Sequence, residues 1–132
     1  MELNLQYFGG RGSGGGKSSG GAGGGIKPEG LSQSLEQYQR RAISSADVDN
    51  LARGLDKGFN RGDSISAREN NRNYIIEDTY VKRPTGDWQY TRTNRSNGDV
   101  YENRRVSSNT VASDILSTAT SNEPMNWKGK KR

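Results

Sequence analysis

The sequence predicts a small single α+β domain over about residues 31–120, with two N-terminal helices, a three-stranded antiparallel meander and a C-terminal packing helix. Three observations predict it. Apolar residues recur at helical spacing from Leu31 to Phe59. The period changes to two from about residue 73. Helical spacing returns between Val111 and Ala119.

The first helix is expected over 31–43, where Leu31, Leu35, Tyr38 and Ala42 fall on one face. Ser44 or Ser45 caps a second helix that starts near Ala46. Asp47 stands three residues after Ser44, in capping-box position. Val48, Leu51, Ala52, Leu55 and Phe59 form its stripe. Gly54 and Gly58 cost such a helix about 1 kcal/mol each relative to alanine, and they let another backbone come close. "NRGDS" ends this helix, and a short helical turn is expected at 65–71.

In the meander, Tyr74, Ile76, Asp78 and Tyr80 share a face of the first strand. "RPTGD" marks the first turn. Trp88 and Tyr90 share a face of the second strand. Asn97-Gly98 is a hairpin dipeptide that leads into "VYENRRV". The closing helix, about 109–119, carries Val111, Ala112, Ile115, Leu116 and Ala119 as its buried stripe and covers one face of the sheet.

Composition sets the margins. Twelve of the 18 glycines lie in the first 30 residues, so 1–30 reads as a disordered Gly/Ser-rich leader. Within it, Leu3, Leu5 and Tyr7 alternate like one face of a short strand. Leu, Ile, Val and Phe number only 20 of 132 residues, which predicts a marginally stable domain that gains order on a partner. Net charge is +1 over 1–30, +1 over 31–72, zero over 73–122 and +3 over 123–132. The basic character therefore sits in 121–132, expected as a flexible tail.

Cysteine and histidine are absent. There is no thiol nucleophile or thiolate metal site, and the commonest general base and zinc ligand are missing. No apolar run reaches the roughly 18 residues of a membrane span, so no membrane partner is expected. "GGGKSS" is not a phosphate loop. That loop needs a glycine where Arg11 stands, with a strand before it and a helix after it. "RGD" at residues 61–63 serves as a helix stop. Glu77 and Asp78 are adjacent on a strand and point to opposite faces, and no E-x-K follows any acid pair. Lys57 and Lys82 are the only lysines inside the domain, and both are expected at the surface. The expectation is no enzyme, no cofactor and no metal.

What remains is aromatic and basic. Tyr80, Trp88, Tyr90 and Tyr101 interleave with Arg92, Arg104 and Arg105. Trp, Tyr and Arg dominate protein-binding hot spots, so these residues are expected to bind a partner. The same residues suit base stacking, but the segment nets zero charge. Trp127, Lys128, Lys130, Lys131 and Arg132 complete the candidate set at the basic end.

The opening "LNLQYFGGRGSGGG" resembles a leader of small proteins encoded by tailed phages and prophages of Gram-positive bacteria. Leu3, Asn4, Leu5, Gln6, Tyr7, Phe8, Gly9, Gly10, Arg11, Gly12 and Ser13 carry it, within about residues 1–25. The resemblance implies a phage accessory protein in the host bacterial cytoplasm, free or on the virion. Its partner would be a phage structural protein in virion assembly. The alternative is a host defence nuclease, with the chain acting as an anti-CRISPR inhibitor. A second alternative is a regulator that binds nucleic acid through its basic residues. The oligomeric state is left open.

Overall fold

The computed structural model describes residues 25–38, 42–70, 72–119 and 126–132. The Leu3–Leu5–Tyr7 alternation and the leader that carries the resemblance lie outside the described residues. The fold is α+β, with helices on one face of an antiparallel sheet. The sheet has five strands, not three. They are β1 (Ser64–Asn70), β2 (Ile75–Lys82), β3 (Trp88–Asn94), β4 (Val100–Val106) and β5 (Lys128–Lys130). Their spatial order is β4-β3-β2-β1-β5.

The expected meander is the β2-β3-β4 part of this sheet. Gly98, at φ +82°, supplies the left-handed residue of the β3-β4 hairpin, and its N–H donates to the Asn94 carbonyl at 2.8 Å. The helical turn expected at 65–71 is instead β1. Ile65 and Ala67, two residues apart, both enter the core, and a helical turn could not bury both. Ser66 pairs with Thr79 of β2 on one side and with Lys128 of β5 on the other.

β5 corrects the expectation of a flexible tail. Trp127 is its anchor, at 3% exposure. The indole N–H donates to Thr118 Oγ1 at 2.7 Å, and the ring packs 5.7 Å from that of Tyr80. The Ser32 hydroxyl donates to the Trp127 carbonyl at 2.9 Å. The domain also begins before residue 31. Pro28 is buried in a 3-10 turn, Pro28–Gly30, and Ile26 packs on the core.

The helices are α1 (Leu31–Leu35), α2 (Ser45–Gly58) and α3 (Ser108–Ala119). The first is shorter than expected. Leu31, Leu35 and Tyr38 are buried as one stripe, but the chain tightens to a 3-10 turn at Glu36–Tyr38 and Ala42 is exposed. Ser44 must be extended to cap α2, so the first helix cannot run into the second. That cap is the expected box. Ser44 Oγ accepts the Asp47 N–H at 3.2 Å, and the Asp47 carboxylate accepts the Ser44 N–H at 3.0 Å. Leu51, Ala52, Leu55 and Phe59 of the expected α2 stripe are buried, and so are Val111, Ala112, Ile115 and Leu116 of α3. The Ala119 side chain lies outside the described set.

One core results. It fills the space between the three helices and the strand face that bears Ile65, Ala67, Tyr80, Trp88, Tyr90 and Val106. Among the described residues, every helix packs on that face. No described residue forms a layer over the opposite face of the sheet.

Candidate binding surface

Alternation along each strand decides which side chains reach which face. Trp88, Tyr90 and Arg92 point to the helix side, as do Ile76, Asp78, Tyr80 and Lys82 of β2. The aromatics expected to meet a partner are therefore core. Trp88 is fully buried and tilts against Phe59 at 5.5 Å, and Tyr80 and Tyr90 stack at 4.9 Å. Trp127 joins them. Of the expected aromatic set, Tyr101 alone is exposed, at 51%, with its hydroxyl accepting from Asn94 Nδ2 at 3.1 Å.

The buried polar groups of the helix side are held in closed networks. Tyr90 donates its hydroxyl proton to Asp78 at 2.7 Å, and Arg92 NH1 reaches the same carboxylate at 3.1 and 3.2 Å. A longer contact of 3.7 Å joins Arg92 to Glu69. Burial, then the hydrogen bond to Asp78, pushes the Tyr90 hydroxyl up to about 12. Burial and the 2.8 Å bond to Asp114 drive Tyr80 upward as well.

Lys82 corrects its expected exposure. Its ammonium is buried, 2.7 Å from the Asp56 carboxylate and 2.9 Å from the Gly86 carbonyl, and 4.8 Å from the Trp88 ring centre. Ser108 donates to the same carboxylate and accepts the Trp88 indole N–H at 2.9 Å. Each donor in this cluster is bonded within it.

The uncovered face is different in kind. Strand register sets out rows of residues that share it. One row runs Lys130, Ser64, Val81, Gln89, Arg105, and the next runs Lys128, Ser66, Thr79, Thr91, Asn103. A third holds Arg68, Glu77, Thr93 and Val100. At strand spacings of about 4.8 Å, the face is roughly 19 Å wide from β5 to β4. Its middle is small hydroxyls and amides around one exposed apolar side chain, Val81, and Val100 adds a second apolar group at the β4 margin. Gln89 Nε2 donates to Asn103 Oδ1 at 2.6 Å across β3 and β4.

Cations sit on both margins of that middle. Lys128 and Lys130 stand on β5 and Arg105 on β4, and among the described residues none of the three is in an ion pair. Glu77 is the one acid in these three rows. Arg68 Nε holds it at 2.9 Å and Arg95 NH1 at 3.2 Å, so its charge is already answered.

Of the expected binding residues, the structure brings Arg105, Lys128 and Lys130 to this face. Arg104 lies on the helix side of β4, 3.3 Å from Glu102 and over the Tyr90 ring at 5.2 Å. Lys131 and Arg132 are exposed at the chain end beyond β5, where the Arg132 N–H donates to Asp63 at 2.9 Å. Ser64, Ser66, Thr79, Gln89, Thr91 and Thr93 belong to the surface without having stood out in the sequence. Their one signal was period-two spacing inside the strands. No described group of three acids could hold a metal ion, and no described helix is long and apolar enough to cross a membrane. Comparison with protein families, characterised proteins and solved structures returned no match.

Proposed function

We propose that this chain is a non-enzymatic phage accessory protein that binds a protein partner, of the virion-assembly class, through the uncovered face of its sheet. The observation that carries this reading is the composition of that face. It is about 19 Å of mainly hydrogen-bonding side chains around the exposed Val81, with Lys128, Lys130 and Arg105 on its margins and its acid already paired. Such a surface complements an acidic, polar partner. The phage setting rests on the resemblance of the leader. The non-catalytic reading is supported by Lys82 and Ser108, whose reactive groups are held by Asp56, Gly86 and Trp88.

The same cations favour a second reading, inhibition of an RNA-guided nuclease by contact with guide RNA or a protein surface. One comparison separates the readings. Purified chain is tested for co-sedimentation with phage particles, for stoichiometric block of guided DNA cleavage, and for salt-dependent binding to duplex DNA. Particle association alone supports assembly. Block of cleavage supports the defence reading. Duplex binding that falls steeply with salt, with neither of the others, replaces both with a nucleic-acid regulator.

A further inference from the structure

The edge of the sheet carries a second surface, separate from its face. β4 is an outer strand, so among the described residues one side of its backbone has no strand partner. Six of its seven residues are exposed. An open edge of this length pairs with another strand unless something blocks it. The blocking devices are charges, Glu102, Arg104 and Arg105, and a bulge opposite Arg92 and Thr93.

Those charges are arranged around a centre. Glu102 and Arg104 flank Asn103 and share the helix side of the strand, opposite Arg92 and Tyr90 of β3. We propose that β4 pairs antiparallel with β4 of a second copy of this chain, with the twofold axis at Asn103. In that register Glu102 of each copy lies directly opposite Arg104 of the other. Directly opposed residues of an antiparallel pair have Cβ atoms about 4.5–5.5 Å apart, within reach of an ion pair. The intrastrand contact of 3.3 Å becomes one side of a four-charge square with alternating signs.

The two neighbouring registers are opposed by the same residues. A symmetric pairing must match outward-facing backbone groups with outward-facing groups, so the register slips only in steps that keep this match. One such slip centres the axis on Glu102 and sets Glu102 against Glu102. The opposite slip centres it on Arg104 and sets Arg104 against Arg104. Both place like charges face to face. The charges that guard the edge against indiscriminate pairing thus favour the Asn103-centred arrangement, which is self-complementary, over both of its neighbours.

The consequence reaches the face. A twofold axis normal to the sheet keeps both helix layers on one side. The two uncovered faces then join into one ten-stranded surface on the other side. The proposal itself does not rest on the function proposed for that face.

The test is a charge swap read by sedimentation or light scattering from low-micromolar to near-millimolar chain. The full chain is expected to rise to dimer mass, and Arg104→Glu and Glu102→Arg are each expected to stay monomeric. An equimolar mixture of the two variants is expected to recover dimer mass, because each Glu–Arg pair is rebuilt across the heterodimer. Circular dichroism melts show that each variant is folded, and recovery in the mixture also requires it. A wild-type chain that remains monomeric throughout overturns the proposal. So does a dimer that persists in Arg104→Glu, or a mixture of folded variants that stays monomeric.

Discussion

Ile26 lies directly on Gly58. A Cβ on Gly58 would fall 1.8 Å from the Ile26 carbonyl oxygen, and the Ile26 N–H donates to the Gly54 carbonyl at 2.8 Å. The two glycines that weaken α2 as a helix are the groove that seats the incoming chain. Gly58→Ala is therefore expected to destabilise the domain by about 1–3 kcal/mol through overpacking, despite a helix-propensity gain of about 1 kcal/mol. Gly54→Ala meets only the Ile26 side chain, nearest at 2.8 Å, which can rotate away, and it is expected to be milder. Urea denaturation of both variants checks the order. A Gly58→Ala chain more stable than wild type would show that the segment is not seated there.

Trp127 holds β5 to the sheet. Trp127→Ala removes a buried indole, its bond to Thr118 and its contact with Tyr80. The expected loss is about 3–5 kcal/mol, the range for a buried aromatic. A loose tail residue would shift stability by about 0.5 kcal/mol or less. The midpoint of urea unfolding distinguishes the two.

The Lys82–Asp56 pair is asymmetric, because the lysine side chain is 8% exposed and the aspartate 50%. Lys82→Met keeps the volume over Trp88 and leaves behind a carboxylate that water can reach. Asp56→Ala leaves a buried ammonium with one carbonyl partner. Asp56→Ala is expected to be the more damaging by about 1–2 kcal/mol. Equal losses in thermal unfolding would argue against a buried charge as the cause.

Tyr80 and Tyr90 make the domain sensitive to alkali. Both hydroxyls are held above the ordinary tyrosine value of about 10, Tyr90 up to about 12. Above pH ~10 the unfolded chain loses tyrosine protons that the folded chain keeps. The unfolded state then binds fewer protons, and stability falls as pH rises. Their contribution is fully present below pH ~10 and is lost progressively above it, through about pH 10–12 for Tyr90 and further still for Tyr80. Urea melts across this range are expected to show that slope, and Tyr80→Phe/Tyr90→Phe is expected to flatten it. An unchanged slope in the double variant would assign the effect to other groups.

Local pattern carried much of the fold. The Ser44–Asp47 box, the α2 stripe, the Asn97-Gly98 hairpin and the α3 stripe are each written within a few consecutive residues. β1 was hidden because "SISAREN" alternates with small polar residues whose burial depends on β2 and β5. β5 was hidden because "KGK" has no propensity signal, and its place is set by Trp127 against α3 and Tyr80. In the candidate site, Arg105, Lys128 and Lys130 were legible as charge. The serine and threonine rows were not, since they exist only once register aligns four strands. Alternation put Trp88 and Tyr90 on one face of their strand but could not say which face the helices would cover.

The most direct test of the open face is to reverse its margin charges together. The Arg105→Glu/Lys128→Glu/Lys130→Glu chain is compared with wild type for co-sedimentation with phage particles, at matched thermal stability. Sedimentation with particles is expected for wild type and is expected to be lost in the variant. Equal sedimentation of the two chains, or none by wild type, would contradict a protein that works through this face.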